Sequence, residues 1–248
     1  MDWLRSFRPA ESDAVTLICF PHAGGGAAAY AAWRDLLPAG WGLEAVRYPG
    51  REDAVTAPPA ASLGDIVTGV TDALTQLDPP GPVVLFGHSL GAILAYETAH
   101  RRQAAGQRVD ALAVSGIPPW TEQHVLTNKY DPADPASADP LAEEVLALDP
   151  ESEAVFQHPA LKKVTLMAVT HDMDLLAAHT LTEAPLAGVP LLIFSGTDDP
   201  SGSPHKMEAW RARTTGFAMS LQFPGGHFYL RQKTPQMVQA LEQFLLLS

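Results

Sequence analysis

Residues 83–92, VVLFGHSLGA, constrain the fold more tightly than any other stretch of the chain. An apolar run ends in Gly-His-Ser-Leu-Gly, and a helix-forming sequence, LGAILAYETAHRRQAAG, follows at once. The run has the length and β-branched content of a strand buried on both faces. Passing from it directly into a helix leaves one sharp turn, with Ser89 at its apex. Gly87 and Gly91, two positions either side, remove the side chains that would collide where strand and helix meet. Strand, turn and helix in this order make a nucleophile elbow, which projects a serine hydroxyl from the edge of a sheet.

The rest of the chain supplies that sheet. Short apolar runs bounded by Gly or Pro recur at 15–20, 43–48, 82–87, 111–116 and 190–196, with a weaker one at 218–223. Helical patterns lie between them at 28–37, 62–77, 90–106, 205–213 and 235–247. Strand alternating with helix predicts an α/β fold, a mostly parallel sheet with helices on both faces. With 248 residues, 46% of them apolar, one large domain spanning 1–248 is expected. The alternation breaks once, at about 118–185, where helical pieces replace strands and predict an inserted helical lid. Within it, residues 131–153 hold eight acidic residues, four prolines and no basic residue. Taken alone that segment reads as a solvated surface loop. Its position suggests a cap beyond the carboxyl ends of the strands, where parallel sheets bind ligands.

The chain carries 28 acidic against 16 basic residues, a net charge of −12, which argues against nucleic acid as a partner. No basic run suits an anionic membrane, no apolar run is long enough to span one, and MDWLRSFRPA lacks the apolar core of a secretory signal. A cytoplasmic monomer is expected. Cys19 is the single cysteine; inside a strand it reads as a small buried apolar residue rather than a reactive thiol.

A serine hydroxyl is a weak nucleophile and needs a base. In hydrolases built on an elbow the acid and the histidine follow the serine in the chain. His227 lies in a glycine-bearing loop after the last strand and before the final helix, which is the expected place. The other histidines fit less well. His88 sits inside the elbow with its side chain directed away from the nucleophile. His100, His171 and His179 lie on helical patterns, and His124, His158 and His205 near turns have no suitably placed acid. Two aspartates end the strand at 190–196. Counting three residues from Gly196 selects Asp199, with Asp198 the competitor and otherwise a turn or helix cap.

FPHAGGG, residues 20–26, offers three consecutive glycines after the first apolar run. It lacks the Gly-Lys-Ser/Thr ending of a phosphate loop, and Ala29 replaces the last glycine of a dinucleotide motif. No further ligands cluster near His22, so no metal or other cofactor is expected. A serine hydrolase does need two backbone N–H groups aimed at the tetrahedral oxyanion. One comes from the residue after the nucleophile, Leu90, and the other from a loop following an early strand, which this stretch supplies.

CFPHAGGGAAAYAAW, AVRYPGRED, LFGHSLGAILAYE, SGTDDP and GGHFYL together resemble the type II thioesterases that accompany polyketide synthases and nonribosomal peptide synthetases. The matching pieces span about residues 17–230, and RYPGRE and PHAGG are more specific than the elbow. The resemblance implies an α/β-hydrolase with a helical lid that frees acyl groups from the phosphopantetheine arm of acyl and peptidyl carrier proteins. It assigns the first oxyanion amide to Ala23 and the second to Leu90. The catalytic residues are then Ser89, Asp199 and His227. Leu90 stands where many members carry methionine, a harmless change if only its amide works. A carrier protein is usually acidic, so the contact is expected through an apolar or locally basic patch near the lid, with Arg47, Arg51, Lys162 and Lys163 as candidates. A chain-releasing or cyclising acyltransferase and a general carboxylesterase would use the same triad. A non-catalytic binding protein of this fold is a further alternative, against which the presence of all three triad residues counts.

Overall fold

The computed structural model describes residues 2–119, 126 and 128–247. His124 therefore lies outside the described residues. Among them, seven strands form one sheet: β1 (Leu4–Arg8), β2 (Thr16–Phe20), β3 (Gly42–Val46), β4 (Val83–His88), β5 (Ala111–Ser115), β6 (Leu191–Gly196) and β7 (Ala218–Phe223). The order is β1-β3-β2-β4-β5-β6-β7. β1 runs antiparallel to β3, and the remaining neighbours are parallel. The helices are α1 (Leu63–Leu77), α2 (Leu90–Ala104), α3 (Ala138–Leu148), α4 (Glu153–Phe156), α5 (Pro159–Ala177), α6 (Pro204–Met207) and α7 (Leu230–Leu245).

Successive residues of a strand face opposite sides of a sheet, so a strand buried on both sides must be apolar throughout. β4 shows this directly. Val83 and Leu85 pack with Ile66 and Val70 of α1 and with Ile93 of α2. Val84 and Phe86 pack on the other side, with Trp33 and with Met237 and Leu241 of α7. β2 has β3 on one flank and β4 on the other, so the strand order reverses there and opens a crevice beyond the strand ends. The loops after β2 and β4 both empty into it.

Several local expectations are corrected. β1 has no apolar run because it is an edge strand held by its backbone pairing with β3. Arg8 adds side-chain bonds to the carbonyls of Arg34, Pro38 and Trp41. The pattern at 28–37 forms a 3₁₀ helix, Ala27–Asp35, and the one at 205–213 a short α6 followed by 3₁₀ turns. α7 begins at Leu230, ahead of Pro235, which it accommodates inside. The acidic segment 131–153 is not simply a solvated loop. It contains α3, which buries Leu141 and Ala142 against Leu166 and Val169 of α5, giving the insertion between β5 and β6 a small core of its own. Among the described residues no helix is long and apolar enough to cross a membrane.

Candidate active site

Ser89 occupies the turn between β4 and α2 with φ 55° and ψ −128°, a region that non-glycine residues adopt only under constraint. Its amide donates to the carbonyl of Ser115 at 2.7 Å, tying the turn to β5. The flanking glycines are required by close approach. A Cβ on Gly87 would lie 2.1 Å from the carbonyl oxygen of Gly91, and one on Gly91 would lie 2.0 Å from that of Phe20. The strand–helix junction is thus pressed against the end of β2, which brings the elbow beside the glycine loop.

His227, 4% exposed, sits in the loop between β7 and α7 and turns its Nδ1 towards a carboxylate. That carboxylate belongs to Asp199, whose Oδ1 and Oδ2 lie 3.1 and 3.0 Å away. Asp199 is 2% exposed, and its Oδ1 also accepts from the amide of Ser201 at 2.9 Å. Burial alone would raise its pKa, but the bonds from His227 and the backbone amides outweigh that and hold it below the usual carboxylate value. Asp198 is exposed, accepts from the Thr197 hydroxyl, and caps no helix. Ser89 and His227 line one pocket without a hydrogen bond between them.

His88 is fully buried beside this pair. Its ring lies 4.8 Å from that of His227. Its Nδ1 meets the Ser115 hydroxyl at 2.9 Å, which in turn meets the Tyr229 hydroxyl at 2.7 Å. Gly116, with φ 77°, closes the same layer, where a Cβ would come within 2.5 Å of the His88 ring and 3.2 Å of the His227 ring.

The glycine loop is assembled largely by residues that sequence reasoning left without a chemical role. Tyr48 donates to the carbonyl of Pro21, and Tyr30 to that of Phe20. Glu52 accepts from the amides of Ala27 and Ala28 at 3.1 and 3.0 Å. Arg51 donates to the carbonyl of Gly25 and forms a two-pronged ion pair with Asp172 of α5. RYPGRED therefore acts as a clamp on the loop; its combination of aromatic, basic and acidic groups was the available signal. Of the successive loop amides, Gly25 donates to the His22 carbonyl and Gly24 to Asp172. Ala23 has no hydrogen-bond partner for its amide among the described residues and lines the pocket with Ser89. Leu90 opens α2, where first-turn amides have no carbonyl of their own helix to meet.

The expectation that Arg51 belongs to an exposed docking patch is overturned, because its side chain is 10% exposed and paired with Asp172 at 2%. Arg47 pairs with Asp2 and Asp53, and Lys162 with Asp139. The insertion lines the pocket with Val145 and Leu148 of α3 and Val169, Met173 and Leu176 of α5, and adds the polar Asp149, Ser152 and Thr165. Cys19 is fully buried, and burial pushes its thiol well above the ordinary range, away from reactivity.

His22 packs edge-on to Phe228, and a Cβ on Gly25 would strike its ring. Desolvation, reinforced by the nearby positive charge of Arg231, takes its pKa from 6.5 to about 3. The unfolded chain then takes up a proton near pH 6.5 that the folded chain refuses. The stability contributed by neutral His22 is complete above pH 6.5 and is lost as the pH falls towards 3. His88 shifts in the same direction. The unfolding temperature should drop between pH 6.5 and 4, and His22→Asn should flatten that drop. Equal slopes for both proteins would contradict this account of His22.

Comparison with known proteins adds an independent line. The model of the thioesterase domain family matches residues 15–245. A probable cadicidin biosynthesis thioesterase of Streptomyces griseus is 33% identical over 230 residues, covering 93% of this chain and 62% of that protein. The chain thus spans less than two thirds of that relative's length. Thioesterase PikA5 of Streptomyces venezuelae is 31% identical over 251 residues, covering 99% of this chain and 86% of that protein. Among solved structures, the type II thioesterase BorB from the borrelidin biosynthetic cluster superposes with a TM-score of 0.85 at 32% identity, covering 99% of this chain and 98% of BorB.

Proposed function

The chain belongs to the thioesterase domain family, and from that premise we propose that it hydrolyses acyl thioesters carried on the phosphopantetheine arm of acyl and peptidyl carrier proteins, as an editing thioesterase of polyketide or nonribosomal peptide biosynthesis. The observation that carries the reading is that a strained elbow serine shares one pocket with His227, whose Nδ1 is held from behind by the buried carboxylate of Asp199. Relatives named for such biosynthetic pathways support the substrate class.

Asp199 holds the proton of His227 on Nδ1, leaving Nε2 as the base. Nε2 takes the Ser89 proton when substrate draws the two together, and Oγ attacks the thioester carbonyl. The new oxyanion is received by the amides of Ala23 and Leu90, each contributing up to about 3–4 kcal/mol to the barrier reduction. Collapse breaks the C–S bond, and the leaving thiolate of the pantetheine arm takes the proton from His227. His227 next deprotonates a water that attacks the acyl-enzyme, and Ser89 recovers its proton as the free acid departs. The apolar lid residues lining the pocket suit the hydrocarbon part of an acyl chain.

The reading is tested by comparing kcat/KM for an acyl-pantetheine thioester, a p-nitrophenyl ester of the same acyl group and a peptide. The thioester should be the best substrate and the peptide should not be cleaved. Equal or better turnover of the ester or peptide would assign the triad to general hydrolysis.

A further inference from the structure

Asp172 belongs to α5 of the insertion, yet its carboxylate is spent on the loop beneath. Oδ2 accepts from the amide of Gly24 at 2.7 Å and from Arg51 Nη1 at 2.8 Å, while Oδ1 accepts from Arg51 Nη2 at 2.6 Å. Arg51 Nη1 also donates to the carbonyl of Gly25 at 2.8 Å. Asp172, Gly24, Gly25 and Arg51 thus close a ring of hydrogen bonds, with Asp172 only 1% exposed. One turn earlier on α5, Val169 rests on the same spot, where its Cγ2 would lie 2.4 Å from a Cβ on Gly24. Gly24 has φ 74°, a conformation open to a glycine but not fixed by it.

We propose that Asp172 is a positioning residue of the oxyanion hole and that the hole is complete only when α5 of the lid is seated. The inference rests on the assignment of Ala23 made above. By engaging the Gly24 amide, Asp172 fixes the peptide on the C-terminal side of Ala23. The Ala23 amide, unpaired among the described residues, is then the loop N–H left for the substrate oxygen. Arg51 serves a second purpose, because an uncompensated carboxylate so close to the hole would repel the oxyanion it is meant to help. Lifting α5 would take Asp172 away from Gly24 and release a glycine-rich segment with nothing else on its Gly24 amide. Acylation is thereby made conditional on lid closure.

The test compares Asp172→Asn with the unaltered full chain on a soluble acyl-pantetheine thioester, together with binding of an alkyl boronic acid, which forms a tetrahedral adduct on the serine and places an oxygen in the hole. Deleting an oxyanion donor costs about 10²–10³ in kcat, so misplacing one should cost about 10- to 100-fold. The expected result is that loss in kcat, an equal loss in boronate affinity, and KM within about twofold, since only the transition state uses the hole. Asp172→Glu, which keeps the charge, should recover part of both losses. If Asp172→Asn does not fold, Asp172→Glu carries the test, and its kcat and boronate affinity should fall together. A purely structural role would lower the unfolding temperature without moving boronate affinity, and a role confined to the acyl pocket would raise KM alone; either result overturns the proposal. Ser89→Ala is assayed alongside. Its inactivity with an unaffected Asp172 variant sinks this inference alone, whereas an active Ser89→Ala enzyme sinks the triad reading on which it rests.

Discussion

Ser89→Ala should lower the turnover of acyl thioesters by about 10⁵-fold or more, while the protein remains folded. The size follows from the chemistry. Without Oγ no acyl-enzyme can form, and what remains is direct attack by water, helped by the oxyanion amides and by substrate positioning. Folding should be spared because the elbow is held by its backbone. The Ser89 amide bonds to the Ser115 carbonyl, and alanine meets the same positive φ that serine already meets. Gly87 and Gly91, which make the close contacts, are untouched. A fluorophosphonate should label the unaltered chain and fail to label Ser89→Ala. Turnover by Ser89→Ala within tenfold of the unaltered protein would remove the nucleophile from the account.

Asp199→Asn should cost about 10⁴-fold in kcat, the larger effect of the aspartate pair. The reason lies in the second partner of the carboxylate. Oδ1 accepts from the Ser201 amide at 2.9 Å, so an asparagine in this place turns its carbonyl oxygen there and its NH₂ towards His227. At 3.0 Å from Nδ1, that NH₂ forces Nδ1 to accept and moves the imidazole proton to Nε2. A protonated Nε2 cannot take the serine proton. Asp198→Asn, at an exposed position whose carboxylate accepts from the adjacent Thr197 hydroxyl and whose backbone N–H keeps its hydrogen bond to the Gly225 carbonyl, should change kcat by less than about threefold. Similar losses for both variants would mean that His227 is not oriented as described.

These outcomes also mark what a reader of the sequence alone could see. The elbow, the runs that became β2 to β7 and the position of His227 were legible because each depends on local spacing: an apolar run, a glycine at a turn, a loop after the last strand. The order of Asp198 and Asp199 along a turn gave a count but no geometry; the distinction is that Asp199 is turned inward and Asp198 is exposed. The ion pair of Arg51 with Asp172 joins residues 121 positions apart, and neither leaves a local pattern that names the other. Arg51 accordingly read as a surface cation, although its side chain is mostly covered and is paired with Asp172 against the loop it braces. Asp149 is similar. It lies in the acidic segment that read as solvated, yet it is 5% exposed and pairs with Arg231 at the start of α7. β1 escaped notice because an edge strand needs backbone partners more than apolar side chains.

The central claim, hydrolysis of an acyl thioester on a carrier protein, is tested most directly by intact-mass measurement. An acyl-loaded carrier protein is incubated with the unaltered chain and with Ser89→Ala, and the masses of carrier and released product are read together. The account predicts that the unaltered chain returns the carrier to its free phosphopantetheine form and releases the linear acid, with one solvent oxygen incorporated from ¹⁸O-water, while Ser89→Ala leaves the carrier loaded. A carrier that stays loaded with both proteins, or an acyl group that leaves as a cyclic or transferred product without solvent oxygen, would contradict it.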